Sequence, residues 1–184
     1  VGRPARPNVP GSRPYTGYDG TANGITGGLA QWIIEARRTS EGLLTNLGAY
    51  GVRPIRGKGK TSMSVHSTGR AVDLSFARRA AVGPQPLGPE RRRAAVAWLD
   101  RIIEANAELG VEACLDYFPS PHGRGWFCDR QKWTVYQTKT IAGAPGGTWF
   151  HIEIAPDMAK AAARVRQAFT NVFPEIPRIE RITD

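Results

Sequence analysis

Glycine and proline interrupt this chain so often that most of it cannot support long regular elements. There are 21 glycines and 14 prolines among 184 residues. Proline neither continues a helix nor donates to a strand ladder, and glycine readily takes up turn conformations. Such punctuation favours many short elements over a helical bundle. No apolar run approaches the roughly 18 residues of a membrane-spanning helix, so no membrane span is expected. Hydrophobic residues make up 41% and charged residues 22%, the balance of an ordinary globular chain. Collagen-like, coiled-coil and wholly disordered classes are thereby excluded. The length suits one domain with its own core.

Residues 1–20 hold four prolines and four glycines, so residues 1–22 read as an extended arm or linker ahead of a domain over 23–184. A helix is expected after Thr26, where Leu29, Trp32, Ile33 and Ala36 recur at helical spacing. Leu43, Leu44 and Leu47 after Ser40 suggest a second short helix ended by Gly48, and Tyr50–Ile55 reads as a strand. RGKGKTS (56–62) reads as a loop; it lacks the spacing of a phosphate-binding loop. Residues 70–76 alternate as a half-buried strand. A long helix is expected from about Glu90 to Leu109, with Ala95, Trp98, Leu99, Ile102 and Ile103 inward and Gly110 as its stop. The Arg91-Arg92-Arg93 run that opens it reads as a solvated face. Val111–Phe118, Trp133–Tyr136 and Trp149–Ile154 read as strands, and Pro156 opens a last helix of about 13 residues. Strands interleaved with helices and short turns predict an α+β fold.

The net charge of +9 would attract polyanions, whether nucleic acid, anionic lipid or cell-wall polymer. Arginine supplies 20 of the 25 basic residues, the bias of a GC-rich coding genome. A basic nucleic-acid-binding domain is one reading of this charge. However, no nucleic-acid motif is present and the aromatics do not interleave with the arginine clusters, so no nucleic-acid partner is expected. Cys114 and Cys128 admit either one disulfide or two buried thiols, and no four-cysteine zinc spacing exists. The chain begins at Val1 with no signal-type apolar segment, which suggests a processed chain or a piece of a larger protein.

The chemistry concentrates in Ser64-Val-His66-Ser-Thr-Gly69-Arg-Ala71-Val-Asp73. His66 lies in a loop, Gly69 permits a sharp turn, and Asp73 then shares a strand face with Ala71. A neutral imidazole and a carboxylate brought together this way are two parts of a catalytic zinc site. An ordinary capped loop with a hydrogen-bonded histidine fits the same two residues. A third part lies in Trp149-Phe-His151-Ile-Glu153, where alternation puts Trp149, His151 and Glu153 on one face. His151 would complete a His-Asp-His set with one position left for water.

The pattern SxHxxGxAxD with a distant histidine on a strand resembles the D-Ala-D-Ala carboxypeptidase and dipeptidase family of zinc peptidases. That family includes the vancomycin-resistance dipeptidases and many phage endolysins. Ser64, His66, Gly69, Ala71 and Asp73 match its fixed positions. Chance alone would supply such a match in a chain of this size on the order of once in ten thousand. The resemblance spans about residues 45–155. It implies Zn2+ held by His66, Asp73 and His151, and hydrolysis of a peptide bond in peptidoglycan stem peptides at the bacterial cell wall. It also implies a small antiparallel sheet with helices packed on one side and the zinc site on the sheet. A monomer is expected, as the peptidase module of a phage lysin from an actinobacterial host, which is in turn part of a multidomain protein.

One departure concerns proton transfer. The family carries a carboxylate three residues before the last histidine, and here that position is Thr148, which cannot exchange a proton near neutral pH as a carboxylate does. Glu153 is the first replacement and Asp116 the second; Glu153 would equally serve to orient the imidazole. A degenerate domain that keeps zinc and only binds wall peptide is the competing reading. The family's substrate-polarising arginine corresponds to Arg53, inside the expected strand, ahead of Arg56. His122, in a turn-rich loop, reads as a surface or substrate-contacting residue and as a reserve ligand. Trp126, Trp133 and Trp149 read as core or as the walls of a cleft.

Overall fold

Thr26 opens the first helix from an extended backbone, its hydroxyl accepting the Leu29 amide at 3.3 Å. This helix, α1, runs Gly27–Thr39 and buries Leu29, Trp32 and Ala36. The computed structural model describes residues 10–55, 62–77, 79–80, 83–84 and 88–177. Six strands form one antiparallel sheet in the order β1-β2-β8-β5-β6-β7. They are β1 (Thr45–Gly48), β2 (Ala71–Ser75), β5 (Val111–Asp116), β6 (Arg124–Phe127), β7 (Lys132–Val135) and β8 (Trp149–Ile154). A separate two-stranded ladder pairs β3 (Arg79–Ala80) with β4 (Gly83–Pro84). The remaining helices are α2 (Pro89–Glu104), α3 (Pro156–Lys160) and α4 (Ala162–Val172). The fold is α+β, a small antiparallel sheet flanked by helices.

The two faces of the sheet have different work. Val72, Leu74, Cys114, Trp126, Phe150 and Ile152 join the buried residues of α1, α2 and α4 in one apolar cluster. Trp32 sits within it, edge-on to Phe169 at 5.2 Å and to Trp98 at 6.2 Å. Its buried indole N–H donates to the Leu109 carbonyl at 3.3 Å. The opposite face carries Ala71, Asp73, Leu115, His151 and Glu153, and the candidate site is built there.

Several expected elements take another form. The helix expected after Ser40 is instead a turn followed by β1. Glu41 and Gly42 both have positive φ, and only a few residues separate them from Gly48, too few to repay helix nucleation. Tyr50–Ile55 is irregular rather than a strand, with a single bridge between Pro54 and Met63. The Arg53 amide is spent on Ser67 Oγ and its carbonyl on the Ser64 amide, so this segment braces the motif loop. The long helix stops at Glu104, and a turn carries the chain to Gly110 at φ 67°. The last helix is broken at Ala161 into α3 and α4. β6 had no counterpart in the sequence pattern. Cys114 and Cys128 are free buried thiols.

The arginine run is not a solvated face throughout. Arg91 donates to the Phe76 carbonyl at 2.5 Å and the Leu43 carbonyl at 2.7 Å. Arg92 reaches Asp116 and lies over the Phe118 ring at 4.7 Å. Arg13, Arg38, Arg70 and Arg124 are likewise bonded to backbone carbonyls or carboxylates within the chain. Six of the 25 basic residues are therefore used inside the fold. Among the described residues no helix is long and apolar enough to cross a membrane. Within residues 10–22 of the expected arm, the Arg13 amide donates to the Cys128 carbonyl and the Ala22 amide to the Ser67 carbonyl, whereas residues 1–9, Arg56 and the RGKGK segment lie outside the described residues.

Candidate metal centre

Ser64, Gly69 and strand pairing place the three candidate ligands. Ser64 caps a single 3₁₀ turn, Val65–Thr68, its hydroxyl accepting the His66 amide at 3.4 Å. Gly69 ends the turn at φ 68°, a left-handed conformation. A Cβ at this position would fall on the Gly24 carbonyl oxygen. Both constraints make glycine necessary for the chain to enter β2 where it does. Gly69→Ala is expected to lower unfolding free energy by about 2 kcal/mol, read as an earlier midpoint in urea.

β2 and β8 pair with Asp73 directly opposite His151. The cross-strand pair brings His151 Nδ1 to 3.0 Å from Asp73 Oδ1. The turn delivers His66 Nε2 to 3.4 Å from the same oxygen and 3.1 Å from His151 Nδ1. Among the described residues this is the one group of three metal-capable side chains, with ligand atoms all within 4.8 Å of one another. Both imidazoles are buried. Donors around a tetrahedral ion with bonds of 2.0–2.1 Å stand about 3.3 Å apart. The observed spacings of 3.0–3.4 Å match that edge length. Two imidazole nitrogens and one carboxylate oxygen are a donor set suited to a divalent cation.

Surrounding charges favour a cation there. Burial alone would raise the Asp73 pKa, but hydrogen bonds from His151 and His66 hold it well below the usual carboxylate range. Burial likewise opposes charge on His151, yet Asp73 and Glu153 outweigh it and push its pKa up to about 9. Glu153 Oε1 accepts from His151 Nε2 at 2.9 Å, and Oε2 accepts the Tyr15 hydroxyl at 2.7 Å. Burial and the Glu153 charge push the Tyr15 pKa up, so this hydroxyl remains a donor.

The cluster lies in a groove of about 680 Å³, lined among others by Tyr18, Arg53, Met63, Tyr117, Ile141 and Trp149. Tyr117 and Trp149 stack at 4.7 Å and form one wall. Trp149 is therefore a cleft residue, whereas Trp126 is core. Arg53 is exposed in this groove.

Asp116 is not brought to the cluster. Leu115 takes the register position opposite His151, so Asp116 alternates to the core face opposite Phe150. There it is fully buried, bonded to Arg92 at 2.5 Å and Arg124 at 2.9 Å, and accepts the Phe118 amide at 3.2 Å. Its place is that of a buried counter-ion on the face away from the cluster, where the expectation placed it second for proton transfer. Thr148 is not among the groove-lining residues; its carbonyl accepts the Phe76 amide and the Ser75 hydroxyl. His122 is half-exposed in its loop and outside the cluster. Sequence reasoning missed Tyr15 and Tyr117. Tyr15 stands in a segment without periodicity, and Tyr117 read only as part of a strand.

Comparison of the chain with protein-family models, curated proteins and solved structures finds no match.

Proposed function

We propose that this chain is a zinc-dependent peptidase that cleaves stem peptides of bacterial peptidoglycan. The convergence of His66, Asp73 and His151 on the floor of an open groove carries the reading. The SxHxxGxAxD resemblance supplies the substrate class. Zinc held by these three side chains would supply Lewis acidity towards a carbonyl oxygen and acidify a bound water.

The chain's own residues then have separate tasks. Glu153 uses both carboxylate oxygens, on His151 and Tyr15, so the proposal gives it positioning of the imidazole rather than proton transfer. Arg53, exposed in the groove, polarises the substrate carbonyl and stabilises its developing negative charge. Arg53→Ala is expected to lower kcat/KM for peptidoglycan fragments by about 100-fold, with metal content unchanged. The stacked Tyr117 and Trp149 form an apolar wall for the peptide. The setting proposed is the cell wall, with the chain as the peptidase module of a phage lysin; arginine-rich coding supports an actinobacterial host.

A second reading is favoured by one observation. Among the described groove residues the only carboxylates are Asp73 and Glu153, and both are engaged. A site without a free proton acceptor forgoes a factor of about 10² to 10⁴. A wall-binding domain that retains metal without turnover fits that shortage. Mass spectrometry of peptidoglycan incubated with the zinc-loaded protein separates the two. New amino termini in the stem peptide establish the peptidase; pull-down of wall material with no new termini establishes the binder.

A further inference from the structure

We propose that Tyr15 is a positioning residue of the metal centre, supplied by the segment that precedes the first helix. The inference rests on the metal reading above. It concerns a segment outside residues 45–155, which carry the family resemblance.

The observation is a continuous hydrogen-bonded relay. The Tyr15 hydroxyl donates to Glu153 Oε2 at 2.7 Å, Glu153 Oε1 accepts from His151 Nε2 at 2.9 Å, and His151 Nδ1 faces Asp73 at 3.0 Å. With Nε2 engaged by Glu153, His151 keeps Nδ1 aimed at Asp73 and His66, where, once its proton is displaced, it would be the metal ligand. Tyr15 occupies the other carboxylate oxygen. It thereby stops Glu153 from rotating away and holds the imidazole in ligand orientation.

Tyr15 is itself half-buried, and the chain on both sides of it is held. Its ring meets Phe127 edge-on at 5.1 Å. Before it, the Arg13 amide donates to the Cys128 carbonyl at 3.0 Å and the Arg13 guanidinium to the Val111 carbonyl at 2.7 Å. After it, Thr16 Oγ1 donates to Glu112 at 2.6 Å, and the Gly17 carbonyl accepts from Arg70 at 2.5 Å. Arg70, the buried residue just before β2, donates to the carbonyl of Ile154 at the end of β8. The segment is thus anchored to β5 and to the end of β6, and through Arg70 to the strands that bear Asp73 and His151. The site would be incomplete without it.

The test titrates the metal-stripped 184-residue chain with Co2+ and Zn2+, following the visible Co2+ bands. It uses wild type, Tyr15→Phe, Glu153→Gln and the double variant. Phenylalanine keeps the ring on Phe127 and removes only the hydroxyl. Tyr15→Phe is expected to bind about tenfold more weakly with shifted Co2+ bands, and Glu153→Gln about 10- to 100-fold more weakly. The double variant should be no weaker than Glu153→Gln alone, because Tyr15 acts through Glu153. Wild-type affinity and bands in Tyr15→Phe, or losses that multiply in the double variant, would overturn the proposal. A wild-type protein that takes up no metal would overturn the metal reading and this inference with it. Should Tyr15→Phe not fold, ¹⁵N NMR of metal-free wild type decides. An Nε2-protonated His151 with a slowly exchanging Tyr15 hydroxyl supports the relay, and an Nε2-unprotonated ring refutes it.

Discussion

Alanine at His66, Asp73 or His151 is expected to abolish metal uptake and, on the proposed reading, to reduce peptidoglycan cleavage to background. Each side chain contributes one donor to a cluster whose ligand atoms lie within 4.8 Å of one another. A catalytic ion is held by three protein ligands, and two would leave it poorly retained. Losing Asp73 also removes the negative charge that both histidines face. All three variants should stay folded, because the site face of the sheet lies outside the apolar cluster. Elemental analysis of the purified variants, with mass spectrometry of peptidoglycan digests, checks both parts. Full cleavage by His66→Ala would reject the peptidase reading.

Asp116→Ala should do the opposite, costing stability and sparing metal. Asp116 is wholly buried between the Arg92 and Arg124 guanidiniums. Its loss leaves two cations facing each other, Arg92 among the rings of Phe76, Phe118 and Phe150 and Arg124 over Trp133. It also leaves the Phe118 amide without its carboxylate acceptor. Breaking a buried pair by removing one partner costs about 3–5 kcal/mol; both arginines keep some exposure, so the lower end, about 3 kcal/mol, is expected here. For a domain of this size that is a fall in Tm of roughly 10 °C. Metal stoichiometry should stay at the wild-type value. Thermal unfolding and a metal titration on the same sample test both; loss of metal at unchanged Tm would return Asp116 to the site.

The members of the His66–Asp73–His151 cluster were legible because two local patterns place them. Gly69 marked the turn, and alternation through Asp73 and through His151 put each on a definite strand face. That β2 and β8 are neighbours, with Asp73 opposite His151, is a long-range pairing that no local spacing encodes. The same limit explains Asp116. Its strand was foreseeable, but the face it takes depends on a register in which Leu115 meets His151. Leu43, Leu44 and Leu47 suit a helix as well as a strand, and the positive φ at Glu41 and Gly42 decides for the strand. The Arg91–Arg93 run looked solvated because charge runs usually are, yet tertiary contacts with Asp116 and two carbonyls recruit Arg91 and Arg92. Tyr15 was invisible for a simpler reason: its segment has no periodic pattern, and its role arises only when the segment folds back on the sheet.

X-ray absorption on the wild-type protein, loaded with Zn2+ after metal stripping, tests the His66–Asp73–His151 site most directly. The expected result is one zinc per chain, bound by two imidazoles and oxygen at about 2.0–2.1 Å. No stoichiometric uptake, or a zinc coordinated by sulfur or by oxygen alone, would contradict it.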